Sequence, residues 1–216
     1  MKIIIRKEYF HLEQSEEGFP CQCYEFTIKN MVKENGFNQE ISNKFDDFFE
    51  KNDYYKSLQY RYEETPRLLK DYQSEPENSN FEKVNIEVNR LGKEIRAGIQ
   101  ILHGGYLNKE SFITTRPLST TTNPQVAFRE ADRNFLKKTN YDIYINIITV
   151  ENPCPKAFCF DSENGEFCHE HEILFESGLK LEKISIEKIF DKYQVSDSFE
   201  NTWIKNVYLM QWTLSR

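Results

Sequence analysis

Bulky apolar residues recur along the chain in two rhythms, and the change falls near residue 97. Up to that point the spacing is helical. Phe45, Phe48 and Phe49, then Tyr55, Leu58 and Tyr62, fall at helical spacing, predicting one helix or two with a break near Asn52-Asp53. Phe81, Val84, Val88, Leu91 and Ile95 form a single stripe on an amphipathic helix. Between these lies the polar run Gln73–Asn80, in which Pro76 ends regular structure and Ser79 or Asn80 can cap the next helix. Lys2–Leu12 reads as either a strand or an arm.

Beyond residue 97 the apolar residues gather in short runs bounded by turn residues. The predicted strands are Ile99–His103, Pro117–Thr121, Ile143–Val150, Ala157–Phe160, Glu172–Phe175, Leu179–Ile186 and Val207–Leu214. In the last, Tyr208, Met210, Trp212 and Leu214 alternate with more polar neighbours, as in a half-buried strand. A helix is expected over Pro124–Lys138, with proline in its first turn. Helices followed by strands indicate an α+β fold rather than a parallel Rossmann sheet. The organisation expected is a mostly helical subregion, 1–97, and a β-rich core, 98–216, forming one domain together.

Composition narrows the function. The chain has 216 residues, and its 28 basic and 35 acidic side chains give a net charge of −7. An acidic chain without a basic stripe is ill suited to nucleic acid, which is held by neutralising phosphates. No glycine-rich GxGxxG or GxxxxGK[ST] loop occurs, so phosphate cradling of those kinds is excluded. The longest apolar run, Ile143–Val150, is too short to cross a membrane as a helix. Charge arrives too early in Met1–Lys7 for a signal-peptide core, and five cysteines are an odd number. Reduced thiols in a cytoplasmic setting are therefore expected. Delivery by a specialised secretion system would leave no such signal.

Three segments of the strand-rich half can carry chemistry. Ile101-Leu102-His103-Gly104-Gly105 ends an apolar strand in histidine, with glycines that let backbone approach a ligand. Leu118-Ser119-Thr120-Thr121 puts hydroxyls on a strand, where they can tether a carboxylate. Glu170-His171-Glu172 offers two carboxylates; if Glu172 opens a strand, Glu170 lies on the same face. Such a pair can divide work between proton acceptance and stabilisation of positive charge. Taken singly, the strand-terminal histidine is more often structural, the Glu-x-Glu pair is usually a solvated edge, and the hydroxyl strand is evenly balanced between the two readings.

Together and in this order they resemble the mono-ADP-ribosyltransferase family, the NAD-dependent bacterial toxins and their relatives. That family carries an Arg or His before Gly, a hydrophobic-Ser-Thr-Ser strand leading to a helix, and a Glu-x-Glu turn into a strand. The counterparts are Leu102-His103-Gly104, then Leu118–Thr121 with Ala127-Phe128, then Glu170–Phe175. Histidine replaces the arginine usual in the Glu-x-Glu subgroup. The resemblance implies a split, mostly antiparallel β-core and NAD+ as substrate, with no metal. It implies that Glu172 stabilises the ribosyl cation, that Glu170 serves the acceptor, and that Ser119 holds Glu172. It assigns His103, Gly104, Ser119, Thr120 and Thr121 to the dinucleotide. The acceptor implied is a side chain, arginine first, of a host or competitor-cell protein, and an activating partner is compatible with it. The alternatives are an NAD glycohydrolase and an inactive module that keeps the fold.

Other features have plainer readings. Phe128 belongs in the core, while Arg129 and Arg133 can either reach a pyrophosphate or form a solvated helix face. Asp161–His169 is by analogy a target-recognition turn, with Gly165 for mobility and Phe167 as a contact. Cys154, Cys159 and Cys168–His171 lack the CxxC or HExxH spacing of a zinc site.

Overall fold

The alternation that marks the second half of the sequence becomes one twisted sheet. A computed structural model describes residues 23–33, 43, 45, 47, 51–60, 64–107, 109–136, 142–161, 170–196 and 202–216. Its helices are α1 (Cys23–Lys33), α2 (Asp53–Leu58), α3 (Arg67–Ser74), α4 (Phe81–Leu91) and α5 (Pro124–Leu136). Its strands are β1 (Lys93–Glu94), β2 (Gln100–Gly104), β3 (Ser111–Ile113), β4 (Leu118–Thr121), β5 (Ile143–Val150), β6 (Lys156–Cys159), β7 (Glu172–Phe175), β8 (Lys180–Ser196) and β9 (Thr202–Ser215). They form a nine-stranded sheet in the order β1-β6-β7-β4-β2-β5-β9-β8-β3. Every neighbouring pair is antiparallel except β5 with β9. The fold is therefore α+β with a mostly antiparallel core.

Local chemistry explains the element boundaries. Asn52 caps α2 by accepting from the Tyr55 N–H at 2.9 Å, so the break in the first aromatic series is a helix start. Asn80, rather than Ser79, caps α4, accepting from the Lys83 N–H at 3.1 Å. Val84 and Val88 are buried with Leu69, Tyr72, Phe158, Phe160 and Leu174, which clamps α3 and α4 onto β6 and β7. Ile95 lies beyond α4 and joins the main core instead.

The strand readings need three adjustments. β8 runs ten residues past the expected end at Ile186, because shifts of register between Lys183 and Ser185, Lys188 and Phe190, and Phe190 and Tyr193 destroy the two-residue rhythm. β9 keeps the expected alternation but changes phase once: Lys205, Val207 and Leu209 are buried before the step, and Met210, Trp212 and Leu214 after it. β1 and β3 are two- and three-residue edge strands, too short to show any periodicity. Lys2–Leu12 lies outside the described residues.

α5 lies across β2, β4 and β5. Its start is fixed by Asn123, whose Oδ1 accepts from the Gln125 N–H at 2.9 Å. A Cβ at Gly104 would stand 2.1 Å from the Ala127 carbonyl oxygen and 2.6 Å from the Ala131 nitrogen. Glycine there allows α5 to press directly on β2. Of the described helices, none is long and apolar enough to cross a membrane.

Candidate active site

β4 joins β2 on one side and β7 on the other, so it brings the three candidate segments together. Its hydroxyls have separate partners. Ser119 Oγ donates to Glu172 Oε1 at 2.6 Å, Thr120 Oγ1 to the Ile173 carbonyl at 2.7 Å, and Thr121 Oγ1 to the Glu170 carbonyl at 2.6 Å. Ser119 is exposed, whereas Thr120 and Thr121 are buried and spend their protons on backbone. The Thr120 and Thr121 hydroxyls thus hold β4 to β7 and to the Glu170 turn. The Gly104 side facing α5 is likewise taken up by helix backbone.

Glu172 is buried, and its two oxygens differ. Oε1 is held by Ser119; Oε2 is enclosed and has no donor in good hydrogen-bond geometry, although the Gln73 side chain lies near enough to stabilise the carboxylate charge. Burial pushes the carboxyl pKa up to about 7. The Ser119 hydroxyl and the Gln73 side chain on α3 pull it down, while Glu170 and Glu130 push it higher. Tyr72, next to Gln73, donates to the Pro117 carbonyl at 2.9 Å and so ties α3 to the start of β4. Burial drives this phenol to about 12. Neither α3 residue has a sequence signature; both arrive through tertiary packing.

The Ser119 contact can be tested directly. Ser119→Ala removes a charge-assisted hydrogen bond to the carboxylate, and we expect the Glu172 midpoint to rise by about one unit. Carboxyl-carbon NMR titration of wild type and variant reads this shift, and an unchanged or lower midpoint contradicts the role.

His103 lies at the end of β2, half-buried, with Nδ1 2.9 Å from the Ser119 carbonyl. A carbonyl only accepts, so Nδ1 carries the proton and Nε2 is the acceptor in the neutral ring. Burial lowers the ring's pKa, and Arg116 lowers it further, against the opposing effects of the Ser119 carbonyl and Glu130. The backbone beside His103 is clamped by Asn146 of β5, which is fully buried. Asn146 Nδ2 donates to the His103 and Gly105 carbonyls at 2.9 and 2.7 Å, and its Oδ1 accepts from Trp212 Nε1 at 2.9 Å.

Glu170 does not share a strand face with Glu172. It precedes the strand in a helical turn, and His171 between them has a left-handed φ of 45°, which breaks the alternation on which the same-face expectation rested. His171 is buried, with Nδ1 3.5 Å from the Tyr55 hydroxyl. The Glu170 carboxylate turns toward α5, where Arg129 Nη2 stands 2.8 Å from Oε1. Phe128 is buried, as expected for a core residue.

Residues 162–169, with Gly165, Phe167, Cys168 and His169, lie outside the described residues, as does the Arg133 side chain. Of the remaining cysteines, Cys159 is buried with its thiol pushed up to about 12, and Cys154 donates to Asn152 Oδ1 at 3.2 Å. Among the described residues no cluster of three potential metal ligands occurs.

No protein-family model and no curated protein sequence matches the chain. The solved structures it resembles include ADP-ribosyltransferases and ADP-ribosylating toxins. The ADP-ribosyltransferase Vis in complex with agmatine, from Vibrio splendidus, aligns at 13% identity and a TM-score of 0.49, over 84% of this chain and 87% of that one. The toxin component BECa of a Clostridium perfringens binary enterotoxin, solved with NADH, aligns at 15% identity and a TM-score of 0.42, over 68% and 42%. Exoenzyme S from Pseudomonas aeruginosa, bound to carba-NAD, gives 11% and 0.35, over 68% and 64%.

Proposed function

We propose that this chain is an NAD-dependent mono-ADP-ribosyltransferase that moves ADP-ribose to a protein side chain, arginine first, with release of nicotinamide. The observation that carries the proposal is the Glu172 carboxylate, buried, with one oxygen fixed by Ser119 and the other without a well-aligned donor. A buried acceptor oxygen without a donor is costly unless a ligand supplies one. The ribose of NAD+ supplies both a hydroxyl donor and, as the glycosidic bond breaks, a growing positive charge for the carboxylate to stabilise.

The other residues fall into place around that step. Neutral His103 offers Nε2 as an acceptor, which suits a ribose hydroxyl better than a phosphate. Arg116, close enough to lower the His103 pKa, is the candidate cation for the pyrophosphate. Nicotinamide leaves with the bonding electron pair of the C1′–N bond. A guanidino nitrogen of the acceptor then bonds to C1′, and its proton passes to the Glu170 carboxylate. The target proposed is a host or competitor-cell protein reached through a specialised secretion system.

The test is incubation of the purified protein with labelled NAD+ and a host-cell lysate, beside Glu172→Ala. Label on a discrete protein band, absent with the variant, supports transfer. Nicotinamide release without label on any protein points to hydrolysis, with water as acceptor. Neither label nor nicotinamide release sinks the enzymatic reading.

A further inference from the structure

The acceptor-side carboxylate already holds a guanidinium from its own chain. Arg129 sits in the second turn of α5, and its Nη2 is 2.8 Å from Glu170 Oε1. Glu170 is carried on a fixed stem, because Thr121 Oγ1 grips its carbonyl and the left-handed residue His171 follows it. The same Thr121 hydroxyl accepts from the Asn123 N–H at 3.0 Å, next to the cap of α5, so the helix and the Glu170 turn share one anchor. Their side chains nevertheless keep access to water, with 36% of Arg129 and 19% of Glu170 exposed. A ligand can therefore open the pair from solution.

A carboxylate poised for one guanidinium has the geometry to take another, and an arginine offers the planar fork that suits it. The oxygen that accepts from Arg129 is not available to a second donor in the same direction. Resting on the transferase reading above, we infer that Arg129 is an internal competitor at the acceptor subsite: an incoming guanidino group must displace it from Glu170, so Arg129 sets acceptor affinity and specificity. A lysine ammonium, a compact point charge without the fork, displaces it less readily. Acceptor residues other than arginine are disfavoured by the pair itself.

The opposite role is easily imagined, with Arg129 merely holding Glu170 in place, and the two make opposite predictions. We would titrate free L-arginine by calorimetry into wild type, Arg129→Gln, Arg129→Lys and Glu170→Gln, without NAD+, and then measure the KM for L-arginine in its presence. Removing a partly exposed ion pair should tighten L-arginine binding and lower its KM by about five-fold in Arg129→Gln. Arg129→Lys should fall between the two, and Glu170→Gln should bind L-arginine least. Equal or weaker binding by Arg129→Gln overturns the competitor role, as does equal binding by wild type and Glu170→Gln. If wild type releases no nicotinamide, the transferase reading fails, while the binding series still decides what Arg129 does.

Discussion

Glu172→Gln is expected to slow nicotinamide release by about 10²–10³-fold, the usual loss when an electrostatic contact to the transition state is removed. The same substitution should stabilise the protein, and only above a particular pH. In the folded chain the carboxyl titrates near 7, against 4.5 for an ordinary glutamate. Below 4.5 both folded and unfolded states are protonated, and burial of this group carries no charge penalty. Between 4.5 and 7 the folded state holds a proton that the unfolded state has lost, so stability falls as pH rises. Above 7 the full cost applies, about 3 kcal/mol. Glutamine carries no charge, so its advantage in melting temperature should be greatest near pH 8 and vanish near pH 4.5. Wild-type nicotinamide release should follow the ionised fraction, rising through pH 7. A melting difference that does not vary with pH would remove the buried, titrating carboxylate from the argument, and undiminished release would remove its catalytic role.

Asn146→Leu should be the most damaging single change outside the carboxylates. Three side-chain hydrogen bonds are lost at once, to the carbonyls of His103 and Gly105 and from the indole N–H of Trp212. The Gly105 carbonyl and the Trp212 N–H are buried, each orphaned buried polar group costs about 1–3 kcal/mol, and since the two are neighbours the sum is about 3 kcal/mol. Asn146→Asp keeps the shape but turns a carboxylate toward two carbonyl oxygens, so it should be no better at pH 7 and should partly recover in acid. Urea unfolding at pH 5 and pH 7 measures both. If Asn146→Leu unfolds at the wild-type urea concentration, the clamp is not what holds the end of β2.

Much of this architecture is visible in local pattern. β5 is an apolar run interrupted by Asn146, β7 is a short apolar run opened by Glu172, α4 shows its stripe, and Asn52 and Asn80 announce their helices, because each of these depends on residues close in sequence. Ser119 and Glu172 could be paired only through the order of motifs along the chain. The contacts that shape the site further join distant residues without any local signature. Arg129 meets Glu170 across 41 positions, and Trp212 meets Asn146 across 66. The same-face reading of Glu170 and Glu172 fails on one backbone angle, since a histidine at φ 45° leaves no trace in a polar alternation. The second half of β8, beyond Ile186, evades detection for a similar reason, its bulges resetting the phase of its side chains.

β9 stands in the middle of the sheet although it is the final strand in chain order. β5 therefore has to wait, with one edge open, until residues 202–215 have left the ribosome and can run parallel to it. Pairing partners so far apart in sequence close slowly, and an unpaired apolar edge is prone to aggregate in the meantime. Trp212 delivers its N–H to Asn146 only at that stage, so the turn bearing His103 is set last. Nascent chains halted before Thr202 should lack the anchored His103 turn, because Trp212 has not yet met Asn146.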